Sequence, residues 1–166
     1  MIKKTLLLLL IVLLAPKAVT AQEIYAVLSS DEKTLTFYYD TKKDSRSGTV
    51  YDFEYVEFDG LTYPQWYASR ETVTTVVFHE SMKAVRPKDT GSWFHYFEKL
   101  KSIQHLDYLD TSEVEDMTAM FCRCSSLTSL DLSNFDTSKV IYMYAMFYKC
   151  TNLTSLDLSA SAFTSM

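Results

Sequence analysis

Glycine and proline are scarce, three of each in 166 residues. That excludes a collagen-like fibre and a flexible linker. It also excludes glycine-rich phosphate loops, because a single G-x-G-x-x-G would consume every glycine present. Three histidines, His79, His95 and His105, form no H-x-x-x-H or H-E-x-x-H pair, and no G-x-S-x-G elbow occurs. His95 and Glu98 would share a helical face, an arrangement that an exposed pair explains equally well. The sequence therefore predicts no enzyme: no catalytic residue, no cofactor and no bound metal. Three cysteines are an awkward count for a disulfide framework, and no histidine stands near them at zinc-ligand spacing. Long apolar runs are also rare. The run at 6–15 is about half of the roughly 20 residues that span a bilayer, and Pro16 and Lys17 interrupt it.

That run has the form of a secretory signal. Lys3 and Lys4 precede it, and Val19-Thr20-Ala21 supply small side chains before Gln22, so residues 1–21 read as a cleaved signal peptide. No cysteine lies near the cleavage point, which argues against a lipid anchor, and no second stretch is long enough to hold the mature chain in a membrane. The sequence places the protein outside the cell or on its surface. The whole chain has 16 basic and 21 acidic residues. Cleavage removes Lys3, Lys4 and Lys17 and no acid, which leaves a net charge of −8. Nucleic acid and anionic lipid reward clustered Lys and Arg, so neither is an expected partner. With 48% hydrophobic and 14% aromatic residues, the remainder is a folded protein.

Two segments of the second half align without a gap at an offset of 26 residues. Asp110-Thr111-Ser112-Glu113-Val114 matches Asp136-Thr137-Ser138-Lys139-Val140. The match continues through Met117 and Met143, Met120-Phe121 and Met146-Phe147, Cys124 and Cys150, and Leu127 and Leu153. It closes with Leu130-Asp131-Leu132 against Leu156-Asp157-Leu158. A worn copy precedes them: Trp93-Phe94 stands for Met120-Phe121, and Leu100-Lys101-Ser102-Ile103 for Leu127-Thr128-Ser129-Leu130, with one extra residue before Leu106. First repeats are often atypical, because one side faces something other than a repeat.

Val140, Met143, Met146, Phe147 and Cys150 recur at three- and four-residue steps, which predicts one stripe of a short helix. Ser112 and Glu115 resemble a capping box at the start of the equivalent helix. The L-x-x-L-x-L segment puts Leu130 and Leu132 on one face of a strand and Asp131 on the other. A unit this short buries its apolar face only by stacking on its neighbours. The expected repeat core is Val114, Met117, Met120, Phe121, Cys124, Leu127, Leu130 and Leu132 in one unit. In the next it is Val140, Met143, Met146, Phe147, Cys150, Leu153, Leu156 and Leu158. Cys124 and Cys150 fit a reduced, buried ladder better than a disulfide or metal site. Asp110 with Asp136, and Asp131 with Asp157, form carboxylate columns that calcium would suit, but turn capping and solvation account for them more simply.

Residues 22–90 hold no repeat. The runs 24–28 and 34–39 predict a hairpin, Tyr51, Phe53 and Tyr55 alternate with acids as in a half-buried strand, and 73–78 is a further strand. The segment 63–67 is an aromatic loop around Pro64, of a kind that packs over a sheet more often than it binds a sugar or peptide.

The unit LTSLDLSNFDTSKVIYMYAMFYKCTNLTSLDLS resembles the repeat of BspA-type leucine-rich surface proteins, also called lipoprotein-associated repeats. EIYAVLSSDEKTLTFYYD and VTTVVFHES resemble the N-terminal part of the same proteins. The resemblance implies an α/β fold, a leucine-rich-repeat-like solenoid with a short strand and a short helix per repeat, preceded by a small β-rich module. The module would occupy 22–90 and the repeats 91–166, the last one incomplete. It further implies adhesion or protein–protein interaction with host extracellular matrix or cell-surface proteins. Such proteins carry many more repeats, so the alternative is a truncated copy of a longer repeat protein, with no ligand of its own and with self-association through an uncapped C-terminal end.

Overall fold

The computed structural model describes residues 21–159. The signal peptide read at 1–21 therefore lies, Ala21 apart, outside the described residues. The first hairpin joins β1 (Glu23–Leu28) to β2 (Thr34–Asp40) in antiparallel register, Tyr25 opposite Tyr38. Its turn is fixed by Asp31, which accepts from Ser29 Oγ at 2.6 Å and the Lys33 amide at 3.1 Å. Alternation along β2 buries Leu35 and Phe37 completely. On the other edge of β1 runs β3 (Thr49–Asp52), also antiparallel.

A second hairpin stands apart, with β4 (Tyr55–Phe58) against β5 (Leu61–Pro64). Asp59 and Gly60 close it with φ of 52° and 75°, the doubly left-handed pair that a tight two-residue hairpin turn demands.

On the other edge of β2 the pairing becomes parallel. β6 (Thr75–Phe78) pairs parallel with β2, and β7 (Ser102–Gln104) parallel with β6. β8 (Ser129–Asp131) and β9 (Ser155–Asp157) form a second parallel pair, Leu130 opposite Leu156. One detail recurs at each step. The amides of Thr74 and Thr75 both donate to Lys33 O, those of Lys101 and Ser102 to Thr74 O, and those of Thr154 and Ser155 to Thr128 O. β2 and β6 thus use the same device as the repeats, and the parallel stacking begins in the N-terminal half. Between β7 and β8 the sheet is interrupted. The residue that makes the first repeat one longer falls here: His105 takes φ 57° and leads into a short 3₁₀ turn at Leu106–Tyr108.

Three tiers of chain stack beside these strands, around residues 88–100, 115–127 and 141–153. Isolated bridges join Asp89 to Asp116 and Asp116 to Tyr142. The amides of Thr90, Ser92, Phe94 and Tyr96 donate to the carbonyls of Asp116, Thr118, Met120 and Cys122, each at 2.9 Å. Those of Met117, Ala119, Phe121 and Arg123 donate to Tyr142, Tyr144, Met146 and Tyr148 at 2.7–3.0 Å. Intervening amides bond within their own tier, three residues back: Met120 to Met117 O, Cys122 to Ala119 O and Cys124 to Phe121 O.

That pattern corrects the expected fold class. The three- and four-residue steps build consecutive turns, not a helix. Ala119 and Arg123 sit at φ 55° and 64°, Ala145 and Lys149 at 56° and 59°, and Ser92 and Tyr96 at 58° and 62°. A left-handed residue at every fourth position cannot belong to a right-handed helix. It turns alternate amides outward, to the neighbouring tier. Among the described residues the longest helical segments are five-residue 3₁₀ turns, Gln65–Ser69 and Glu80–Ala84. The expected α/β solenoid with a helix in each repeat is replaced by a β-rich fold of strands and turns. The capping box at Ser112 and Glu115 has no helix to cap; the Glu115 amide donates to Lys88 O instead.

One hydrophobic core runs from Ala26 to Met146. Phe37 lies edge-on to Trp66 at 5.1 Å and stacks on Trp93 at 5.7 Å. Phe94 stacks on Phe121 at 5.8 Å, and Phe121 on Phe147 at 5.9 Å. Val114, Met117, Met120, Phe121, Cys124, Leu127, Leu130 and Leu132 are all buried. In the third tier only Met146 is. Val140, Met143, Phe147, Cys150 and Leu153 are half-buried, and Leu156 and Leu158, expected in the core, are each 37% exposed. Among the described residues the second unit has a neighbour on both sides, and the third on one.

At the far edge of the module Asp40 accepts from the Tyr25 hydroxyl and from Arg46, both at 2.5 Å, and from the Lys42 amide at 2.8 Å. Burial opposes its charge, but the Tyr25 hydroxyl, the Lys42 amide and the Arg46 guanidinium outweigh it and hold the carboxyl below its ordinary value. A carboxyl depressed by folding stabilises above its unfolded pKa, and the gain disappears as pH falls through its folded pKa. Asp40→Asn should therefore cost about 1–2 kcal/mol at pH 7, and the gap to wild type should close below about pH 4. Urea unfolding at several pH values checks this; a gap independent of pH would contradict it.

Candidate binding face

The left-handed turns that point alternate amides along the stack also point side chains sideways. Met143, Met146 and Phe147 go inward, while the residues between them leave the array. Positions 89, 116 and 142 are aligned by the two bridges, and the ladder aligns 91, 118 and 144, and 95, 122 and 148, in the same way. The lateral face is thus a grid of three columns, changing character tier by tier. Its first tier carries Asp89, Gly91 and His95, its second Asp116, Thr118 and Cys122. Its third carries Tyr142, Tyr144 and Tyr148, which are 61%, 81% and 55% exposed, with Ile141 beside them at 67%.

The β4–β5 hairpin covers the first tier. Tyr55 and Thr62 face Asp89, Gly91, Ser92, Asp116 and Thr118 across a cleft of about 310 Å³. Tyr63 lies over His95 at 5.5 Å and stacks on Tyr67 at 4.0 Å. Inside the cleft Asp89 and Asp116 each accept one amide bond at 2.6 Å, from Gly91 and Thr118. Neither makes an ion pair among the described residues. Burial and the Asp116 carboxylate push Asp89 up, and burial with the neighbouring Asp89 charge pushes the Tyr55 phenol up. The hairpin adds apolar surface of its own, Val56, Phe58 and Leu61 at 41%, 50% and 60% exposure.

The other residues singled out in the sequence lie elsewhere. His79 accepts from the Ser81 amide and starts a 3₁₀ turn. His95 sits under Tyr63 with Nδ1 buried and unbonded, its pKa pushed down by burial and by Arg123. His105 stacks on Tyr108. Glu98 faces Arg123 at 3.9 Å rather than His95. Asp110, Asp136, Asp131 and Asp157 each accept the amide two residues ahead, at 2.8–3.0 Å, so all four fasten turns. No group of three or more His, Cys, Asp or Glu gathers among the described residues. All three cysteines are free thiols; Cys124 donates to Phe94 O at 3.2 Å and Cys150 to Phe121 O at 3.0 Å. The aromatic loop is packed: Trp66 is fully buried and donates to Trp93 O at 2.8 Å.

The exposed tyrosines and the covering hairpin were not picked out from the sequence, although the repeat marks the former. They fall where the third unit departs from the second, at Glu115 against Ile141, Asp116 against Tyr142, Thr118 against Tyr144 and Cys122 against Tyr148.

A search of curated proteins and of solved structures finds no match to the chain. One protein-family model matches residues 72–165, more than half of the chain, starting before β6 and including all three tiers. Its description is "Mycoplasma protein of unknown function, DUF285". The resemblance to BspA-type leucine-rich repeats is thereby corrected: the shared leucines close three-residue strands, and turns stand where that fold requires helices. The chain belongs to the family described as Mycoplasma protein of unknown function, DUF285.

Proposed function

We propose that the protein is exported and acts without catalysis, as a binding protein whose lateral face takes the surface of an extracellular protein. The observation that carries this reading is the set Tyr142, Tyr144 and Tyr148, all more than half exposed on a hydrogen-bonded turn ladder. Tyrosine offers a large, stiff contact with a polar tip, at little entropic cost, and such residues dominate binding energy where they meet a partner's pocket. Tyr142 and Tyr144 follow the acidic cleft along the same columns, so a partner with a basic rim beside an apolar patch suits the face. Export is supported by Lys3, Lys4, the run at 6–15 and the small residues before Gln22.

The mature protein, beginning at or near Gln22 by mass spectrometry of the secreted product, is to be screened against arrayed matrix and cell-surface proteins. For any ligand found, Tyr144→Ala should weaken binding about 30-fold, the effect of losing a hot spot of roughly 2 kcal/mol, while Lys101→Ala should leave it unchanged. A ligand insensitive to all three tyrosines, or retention of the uncleaved chain in the cytoplasm, would overturn the proposal.

A further inference from the structure

The end face of the third tier is distinct from its lateral face and carries a different pattern. On the second tier four amides, of Met117, Ala119, Phe121 and Arg123, point forward and are accepted by the third tier. Two carbonyls point forward as well: Glu115 O accepts from the Ile141 and Tyr142 amides, and Thr128 O from Thr154 and Ser155. The Cys150 thiol bonds back to Phe121 O. The corresponding groups of the third tier are the amides of Met143, Ala145, Phe147 and Lys149 and the carbonyls of Ile141, Phe147 and Thr154. Apart from Phe147 O, which accepts the Cys150 amide within its own tier at 3.1 Å, none has a hydrogen-bond partner among the described residues. Around them Val140, Met143, Phe147 and Leu153 are half-buried where Val114, Met117, Phe121 and Leu127 are buried.

We propose that this end face is a docking site for a polypeptide segment carrying the same 26-residue unit, laid parallel to the third tier. The match is specific. An extended strand adding to β9 would leave the four turn amides unanswered. A segment of the same unit presents carbonyls to those four amides, two adjacent amides to Thr154 O, a ring over Phe147 and a thiol to Phe147 O. The four amide bonds, the ring stack and the thiol bond are already made twice between the tiers, and the paired amides once, at Thr128 O. A second folded copy does not supply it head to tail: on the back of its first tier Trp93 O, the counterpart of Met120 O and Met146 O, already accepts from the Trp66 indole at 2.8 Å, and its strand column begins on β6, β2 and the antiparallel β1.

The test is to insert a second copy of residues 134–159 directly after Ser159 and to follow amide hydrogen exchange residue by residue. The unmodified chain with a synthetic 134–159 peptide is measured in parallel. In the extended protein the Met143, Ala145, Phe147 and Lys149 amides should exchange on the order of 100-fold more slowly than in the parent, approaching Met117, Ala119, Phe121 and Arg123. Slowing in either format supports the proposal. If all four amides stay as fast as in the parent in both formats, it is wrong. It is equally wrong if the parent alone protects them as its concentration rises and it sediments as a dimer, since the occupant is then a second copy. Loss of binding at the tyrosine face leaves these four amides unaffected, so the two readings fail separately.

Discussion

Phe121→Ala should lower stability by about 3–5 kcal/mol, and Phe147→Ala by no more than about half of that. The two residues hold the same place in successive units, and their rings stack at 5.9 Å. Phe121 is fully buried between Phe94 and Phe147, so its removal leaves a cavity walled on both sides. Phe147 is half-buried, and solvent fills part of what it vacates. In a chain of this size the difference corresponds to about 5–10 °C in melting temperature. Thermal unfolding of the two variants decides it. Equal losses would mean that the third tier is as well enclosed as the second.

Trp66→Ala should destabilise the repeats as strongly as the N-terminal half that contains it. The indole packs against Phe37 at 5.1 Å, Phe53 at 5.2 Å and Trp93 at 5.7 Å. Truncation removes those contacts, at about 3–5 kcal/mol. It also strips the buried Trp93 carbonyl of its 2.8 Å donor, adding about 1–3 kcal/mol. Because the core is continuous from Ala26 to Met146, the loss spreads through one cooperative unit. Hydrogen exchange should show the β2, β6 and β8 amides losing protection together. If β8 keeps its protection while β2 loses it, the two halves fold independently.

These expectations rest on features that the sequence discloses unequally. The hairpin of β1 and β2 was legible because strand alternation is a local property. Phe58-Asp59-Gly60-Leu61 carries an equally local turn signal, a D-G pair between apolar residues, and the hairpin of β4 and β5 closes there. The repeat was legible to the residue. Its backbone was not, because steps of three and four residues arise from a helix and from consecutive turns alike. What separates them is a left-handed residue at Ala119, Arg123, Ala145 and Lys149, and none of these is the glycine or asparagine that announces such a conformation. They adopt it because the amides so turned find carbonyls in the next tier, a reward visible only after stacking. The lateral face was hidden for another reason. The repeat pattern displays what the units share, and the exposed tyrosines lie where the units differ.

The ladder between tiers has a mechanical side. Its rungs run along the stacking axis, and among the described residues the third tier is bonded to a neighbour on one side, so tension applied along that axis from the C-terminal side reaches the third tier's rungs first. The rungs there would open one after another, as in a zipper, rather than resist together as strands in shear. The least buried tier would yield first and spare the aromatic centre around Trp66 and Trp93, and stretching a single molecule would read this as an early, small extension before the main rupture. A protein tethered at that end would hold a soft spring in series with a stiff body.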